Sequence, residues 1–402
     1  MANSNLSAAK TAKQDEFYTQ WADIEREMNA YLEYDPDVFR GKTILLPCDD
    51  PEWSNFTKFF ALHFADYGLE KLISTSYAPN SNAGAAFYTP TLFETEDPAY
   101  DEGKSLERGR VFTLTQEDVS GDGRVDIDDL KWEYLEGDGD FRSAEVTALR
   151  DEADMVITNP PFSLFRSFVD WLMESGKQFA IIGNSNAVTY KEVFPLIQGN
   201  LVWKGATGNA TDMVFEVPEG VEIAAADRLK AAKLGYKGNF TRLGNSCWFT
   251  SIEHGRRHEP MQLMTVEDNK KFSRFKEVKG VGYLRYDNFD AIEVPYSAAI
   301  PSDYDGMMGV PKSFLDRYNP AQFEVVGNTQ GWFGAASKTY PRQTQVSKDG
   351  KESMVTKLND APAIKVESPP VGKTYYIVDG EYYEAVFARI LIRHRNPEPK
   401  KD

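Results

Sequence analysis

Asn159-Pro160-Pro161-Phe162 follow directly on a short apolar run, Met155-Val156-Ile157-Thr158, and are the residues of this 402-residue chain whose types and order best suit chemistry. Each proline fixes its own φ and holds the residue before it extended, so Asn159 and Pro160 form a rigid polar bend at a strand's end. Such a bend can aim the Asn159 side-chain oxygen and the Pro160 carbonyl at one point, as two acceptors for an amino group with two hydrogens to donate. Phe162 adds a flat apolar face for a planar ring. Acceptors beside a stacking face suit the exocyclic amine of a nucleobase. A proline-rich strand-to-helix turn is the plain alternative.

The elements that must hold this bend are legible on both sides of it. Thr43-Ile44-Leu45-Leu46-Pro47 reads as a buried strand that breaks into Cys48-Asp49-Asp50-Pro51. A helix over about 53–67 follows, with Phe56, Phe60, Phe64 and Tyr67 on one face and Gly68 closing it. A second strand, Lys71 to Thr75, ends in Ser76-Tyr77 where an acidic residue commonly holds a ribose. Beyond the bend, Leu164, Phe165, Phe168, Val169, Leu172 and Met173 make a helix stripe ended by Gly176, and Phe179 to Gly183 make another strand. This alternation predicts an α/β fold with a doubly wound, mostly parallel sheet, whose ligands bind at the carboxyl ends of strands. The first strand-to-helix turn is then the expected cofactor site. It lacks a glycine-rich signature, which leaves Asp49 or Asp50 as the candidate contact. Near the start, Phe17, Trp21, Ile24, Met28 and Tyr31 form one apolar stripe of an amphipathic helix.

Asp118 to Asp129 is a second constellation. Asp118, Ser120 and Asp122 at loop positions 1, 3 and 5, Gly123 at 6, the apolar Val125 at 8 and Asp129 at 12 match the spacing of an EF-hand calcium loop. Calcium binding and a bare acidic surface hairpin are both open readings of it. Leu130, Trp132 and Leu135 after the loop suggest a helix.

The balance of charge divides the chain. Its net charge is -17, yet residues 1–240 hold 22 basic and 41 acidic side chains, whereas residues 241–402 hold 23 and 21. Residues 93–154 alone carry 20 acidic against 7 basic groups, so this stretch is expected to face away from any polyanion. Past 240, strand-like pieces (Cys247 to Thr250, Val281 to Tyr286, Phe323 to Val326) alternate with turns, and Asp379-Gly380 reads as a hairpin tip. Basic residues gather there: Arg256 and Arg257, a group from Lys270 to Lys279, and Arg389, Arg393 and Arg395, which alternate with Ile390 and Ile392 as one charged face of a strand. A charge run alone is usually a solvated face; beside a base-modifying bend it points to phosphate. Length predicts two domains, drawn as 1–240 with an acidic insertion at about 93–136, and a β-rich region at 241–402. Cys48 and Cys247 are too few for a disulfide framework. With no apolar run long enough for a bilayer and a polar start, the expectation is a cytoplasmic protein with no membrane contact. No zinc site, serine triad or phosphate loop is legible, and His63, His254, His258 and His394 are scattered.

The order Asp15-Glu16-Phe17-Tyr18-Thr19, then Cys48 to Phe56, then Gly137 to Ser143, then Asn159 to Arg166 resembles the EcoRI modification methylase family, over roughly residues 13–250 with ordered motifs and more diffusely over the remainder. The resemblance implies an adenine-specific DNA methyltransferase of the gamma motif order, with a fold of the S-adenosylmethionine-dependent methyltransferase type. It implies that Phe17, Tyr18 and Thr19 lie against the methionine end of S-adenosylmethionine, that Pro47, Cys48 and Asp49 border the cofactor, and that Asp140 accepts from its adenine amine with Phe141 beside the ring. It further implies Asn159, Pro160, Pro161 and Phe162 as the catalytic motif and residues 241–402 as the target-recognition region. Double-stranded DNA is the implied partner, contacted by Arg256, Arg257, Arg393 and Arg395. A cognate restriction endonuclease would be a functional partner, the enzyme a monomer, and the cell bacterial or phage-infected. Methylation of RNA or of a protein glutamine amide, and a catalytically silent DNA-binding protein, are the rival readings.

Overall fold

Apolar runs such as Thr43–Leu46 and Met155–Thr158 are buried at every position, the pattern of strands covered on both faces. The computed structural model describes residues 17–50, 54–78, 95, 99–118, 130–207, 213–217, 223–243 and 245–399. They fall into two compact units, Met1–Ala187 with Val202–Gly255, and Val188–Leu201 with Arg256–Asp402. In chain order the first contains β1 (Tyr18–Thr19), α1 (Trp21–Tyr34), β2 (Thr43–Leu46), α2 (Asn55–Leu62), β3 (Lys71–Ser76), β4 (Arg110–Thr115), β5 (Lys131–Tyr134), α3 (Ala144–Glu152), β6 (Met155–Thr158), α4 (Phe165–Ser175), β7 (Gln178–Asn184), β8 (Trp203–Lys204), β9 (Val214–Glu216), α5 (Ala225–Lys233), β10 (Phe240–Arg242) and β11 (Ser246–Thr250).

Eight strands form one sheet in the order β5-β4-β3-β2-β6-β7-β11-β8. The middle four, β3, β2, β6 and β7, are parallel, and the strands added on either side pair antiparallel. The fold is therefore mixed α/β, and its sheet is mixed rather than mostly parallel. On one face Ile44, Leu46, Leu72, Met155, Ile157, Ala180, Ile182 and Trp248 share a core with Ile24, Met28 and Tyr31 of α1 and Phe56, Phe59 and Phe60 of α2. On the other, Phe165 of α4 lies on Gly183, where a Cβ would overlap its ring, and meets Phe249 at 5.2 Å. Each buried aromatic of this kind contributes about 1.5–3 kcal/mol.

Local chemistry ends the elements where the sequence predicts, since Gly68 and Gly176 close their helices in the left-handed conformation. Several expectations change. Phe17 precedes α1, and Tyr18–Thr19 pair with β9. The expected helix over 53–67 breaks at His63, whose ring stacks on Tyr67 at 5.0 Å. Leu130, Trp132 and Leu135 border or lie in a strand, because burial along Lys131–Tyr134 follows a two-residue period that hides Trp132. Ser246–Thr250 joins the first unit's sheet beside β7.

The second unit is rich in β-structure. Ile292–Glu293, Met308–Val310, Ile390–His394 and Phe323–Asn328 form a four-stranded sheet in that order, and a five-stranded antiparallel sheet runs Glu352–Val355, Gln343–Val346, Tyr375–Val378, Glu381–Ala385, Ala363–Val366. Asp379 and Gly380, both at positive φ, turn the hairpin between its third and fourth strands. Val281 to Tyr286 makes only an isolated bridge at Arg285, since Gly280 and Gly282 at positive φ interrupt extended backbone. Ile390–His394 is central in its sheet, and Arg393 is its one exposed residue. Arg389 instead forms a two-pronged ion pair with Glu293, both side chains nearly buried, so it drops out of the charged face expected of this strand and leaves Arg393 and Arg395 exposed.

Candidate active site

β6 delivers Thr158 and Asn159 to its carboxyl end, and Pro161 (φ -54, ψ 124) turns the chain into the short helix Phe162–Leu164. The Asn159 amide nitrogen donates to the Phe17 carbonyl at 2.6 Å. A carbonyl only accepts, so this bond fixes which end of the amide faces it. The Asn159 Oδ1 is buried and has no hydrogen-bond partner among the described residues. An unpaired buried acceptor costs free energy unless a ligand satisfies it, which makes this oxygen the most informative atom of the site. Half-buried Phe162 leans on Phe17 at 5.7 Å and on buried Phe215 at 6.2 Å edge-to-face. Phe17 thus supports both the amide and the aromatic ring of the motif.

The turn after β2 is built by hydroxyls. Cys48 adopts φ 67, costly for a residue with a Cβ, and its N–H donates to the Thr75 Oγ1 at 3.3 Å. Asp49 is 5% exposed, and its carboxyl oxygens lie 2.6 Å from the Ser54 hydroxyl and 2.5 Å from the Thr158 hydroxyl. Thr158 also reaches the Pro47 carbonyl at 2.8 Å. The Asp49 carboxyl is therefore committed inside the protein. Asn55 secures the Phe17–Thr19 segment by donating to the Thr19 carbonyl at 2.8 Å. Two more buried hydroxyls are without partners among the described residues, Thr19 Oγ1 and Ser76 Oγ, the latter at the carboxyl end of β3. With Asn159 Oδ1 they give three unsatisfied polar atoms on segments bordering the carboxyl ends of the parallel strands, a donor and acceptor set that fits a polar cofactor.

Beside β3 the loop ahead of α3 comes very close. A Cβ on Gly139 (φ +85) would overlap the Ser76 carbonyl oxygen and crowd Tyr77 Cα at 3.2 Å, and Ala78 N–H donates to the Asp138 carbonyl at 2.8 Å. Gly139→Ala is expected to destabilise the protein by about 2–4 kcal/mol, read as a lowered melting temperature, and to weaken cofactor binding with it. Asp140 is gripped by Arg142 through its N–H and its guanidinium, which holds the carboxyl below the usual range despite partial burial. Phe141 is fully buried, 4.8 Å from Phe168 and 5.4 Å from Trp171. The ring that the resemblance puts beside a cofactor is packed in the core, because Phe168 and Trp171 of α4 close over it. Both residues lie in the turn before α3.

Of the acidic loop, Ser120, Asp122 and Asp129 lie outside the described residues. Asp118 accepts from the Thr115 N–H and hydroxyl and pairs with Lys131, so its oxygens are already engaged. Among the described residues no group of three potential ligands is suited to a metal ion. Calcium has no support here. Of the basic residues, Arg393 and Arg395 are exposed and Arg256 half-buried, but Arg257 is 3% exposed and donates to the Asn200 Oδ1 at 2.8 Å, so it does not present a charge to solvent. His254 is likewise internal, 3.0 Å from the Lys204 carbonyl. Among the described residues no helix is long and apolar enough to cross a membrane.

Sequence reasoning passes over Ser54, Thr158, Phe215 and, above all, Glu27. This carboxylate is 0% exposed and accepts from Tyr31 Oη, from the Ala206 and Thr207 N–H groups, and from the Thr207 hydroxyl. A signal exists, since Glu27 falls three residues after Ile24 and four before Tyr31, on the buried face of α1.

A family model described as adenine-specific methyltransferase EcoRI matches residues 5–395. The chain is 37% identical over 330 residues to the type II methyltransferase M.EcoRI of Escherichia coli, covering 82% of this chain and 90% of that one. It is 33% identical over 321 residues to the type II methyltransferase M.MpnI of Mycoplasma pneumoniae, covering 80% and 84%. No solved structure matches.

Proposed function

Because the chain belongs to the EcoRI family of adenine-specific methyltransferases, we propose that Asn159, Pro160 and Phe162 receive an adenine turned out of duplex DNA and direct a methyl group from S-adenosylmethionine onto its N6 amine. The protein is a DNA adenine methyltransferase. The observation that carries the assignment of residues is the buried Asn159 Oδ1, without a partner among the described residues, on an amide whose orientation is set by Phe17.

An adenine amine lies inside the duplex stack, so the base must leave it, at a cost of a few kcal/mol that the pocket offsets. Phe162, braced by Phe17 and Phe215, supplies the stacking face. Asn159 Oδ1 and the Pro160 carbonyl accept the two amine hydrogens and draw the nitrogen's lone pair out of conjugation with the ring. As positive charge develops on that nitrogen, both acceptors are already in place to stabilise it. S-adenosylmethionine, when bound, supplies a methyl group on a positively charged sulfur. Phe17, Tyr18, Thr19, Pro47, Cys48 and Ser76 are the residues that would hold it, with Ser76 standing where other enzymes place a ribose-binding acid.

The same reading gives residues 241–402 the task of target recognition, and turns the acidic insertion away from DNA. Arg256, Arg393 and Arg395 are the phosphate contacts it favours. Arg393→Ala is expected to weaken DNA binding evenly across sequences and to reduce the slope of log affinity against log salt by about 1, measured by fluorescence anisotropy. It also places a monomeric enzyme in the cytoplasm of a bacterial or phage-infected cell, beside a restriction endonuclease that shares its site. Long-read sequencing of DNA from cells expressing wild type or Asn159→Ala tests the proposal. A motif carrying N6-methyladenine only with wild type supports it; methylated RNA or protein with unmodified DNA would overturn it.

A further inference from the structure

The hydroxyl of Thr158 has one hydrogen and two neighbours that, were Asp49 ionised, could only accept: the Pro47 carbonyl at 2.8 Å and Asp49 Oδ2 at 2.5 Å. One of these contacts would then set oxygen lone pairs against each other. The Ser54 hydroxyl does not relieve the conflict, because it already accepts from the Phe56 N–H at 3.1 Å and gives its own hydrogen to Asp49 Oδ1 at 2.6 Å. A proton on Asp49 Oδ2 resolves every contact at once. Asp49 donates to Thr158, Thr158 donates to Pro47, and Ser54 donates to the remaining Asp49 oxygen.

We propose that Asp49 is a proton-carrying positioning residue, whose neutral carboxyl donates to Thr158 and thereby locks the residue before Asn159 to the cofactor turn at the end of β2. The neighbourhood agrees. From the N-cap of α2 comes the Ser54 hydroxyl and from α2 the Thr57 hydroxyl, the latter on the Asp49 carbonyl at 2.9 Å; from β3 come the Thr75 carbonyl, which accepts the Asp49 N–H at 2.7 Å, and the Ser74 hydroxyl. The charge that acts on it is Asp50, like in sign and itself paired with Arg110 at 2.8 Å. Among the described residues no cation touches the Asp49 carboxyl. Burial, partly opposed by the Ser54 and Thr158 hydrogen bonds and reinforced by Asp50, pushes Asp49 up to about 7. The role in catalysis rests on the methyl-transfer reading of Asn159; the protonation itself does not.

The test compares wild type, Asp49→Asn and Asp49→Ala. An asparagine reproduces the neutral acid, with its NH2 toward Thr158 and its oxygen toward Ser54. Folded Asp49 holds its proton through a pH range in which unfolded aspartate has lost it, so its contribution to stability is present below about pH 4 and is lost as pH rises through about 7. The melting temperature of Asp49→Asn minus that of wild type is therefore expected to grow between about pH 5 and pH 8, in protein without ligands. In single-turnover methyl transfer, Asp49→Ala is expected to lose on the order of 10²-fold, and Asp49→Asn to recover most of that loss. A melting difference that is level with pH, or an asparagine variant no better than alanine in transfer, overturns the proposal. If wild type itself transfers no methyl group to DNA, the functional reading fails while the melting comparison still decides the state of Asp49.

Discussion

Asn159→Ala is expected to slow methyl transfer by about 10²–10³-fold while S-adenosylmethionine still binds. The size follows from removing one pre-aligned group that stabilises charge only as it develops. Among the described residues the Asn159 side chain bonds to the Phe17 carbonyl at 2.6 Å and keeps its oxygen unpaired in a buried position. The folded protein thus carries the cost of a desolvated acceptor before any substrate arrives, and no reorganisation is needed when the amine becomes cationic. Asn159→Asp discriminates further. It keeps an oxygen for the substrate but sets a second oxygen against the Phe17 carbonyl, so it should recover only part of the rate. Single-turnover kinetics with saturating DNA, alongside calorimetry for the cofactor, separates the loss of transfer from any loss of binding. Full transfer by Asn159→Ala would remove this residue from the mechanism.

Glu27→Ala is the substitution expected to damage stability most, by about 3–5 kcal/mol, seen as a lower urea midpoint. The carboxylate is completely buried and is the common acceptor for Tyr31, two main-chain N–H groups and Thr207. Alanine leaves those donors unsatisfied in a space they cannot share with water, and it removes the tie between α1 and the segment after β8. Gly205 shows how closely that segment approaches, since a Cβ there would overlap the Glu27 carboxylate. Glu27→Gln should cost less, because one oxygen still accepts, although its NH2 then faces a donor. Tyr31→Phe removes a single donor and should cost only about 1 kcal/mol. Equal midpoints for Glu27→Ala and wild type would mean that water replaces the carboxylate.

The parts of this protein that the sequence states outright are those whose cause is local. Two prolines after an apolar strand dictate a rigid bend wherever it is placed, and glycines at 68 and 176 end their helices because only they enter the left-handed region without cost. Ordered motifs carry the family, and with it the reaction, because Asn159 to Phe162 need no distant partner to be recognised. The misreadings have the opposite character. Trp132 and Leu135 fit a helix or a strand equally well until pairing with β4 selects the two-residue period. Arg257 and Arg389 look like surface charges in a row of letters, yet Asn200 and Glu293 draw them inward from far along the chain. The chemistry available at Asn159-Pro160-Pro161-Phe162 is written in the order of the residues. Which atoms stand ready to use it follows from their neighbours in the fold. The Phe17 carbonyl lies 142 residues from the amide it orients, and Asp49 lies 109 residues from the hydroxyl it shares. Hydrogen-bond satisfaction is a property of three-dimensional neighbours, and no spacing along the chain encodes it.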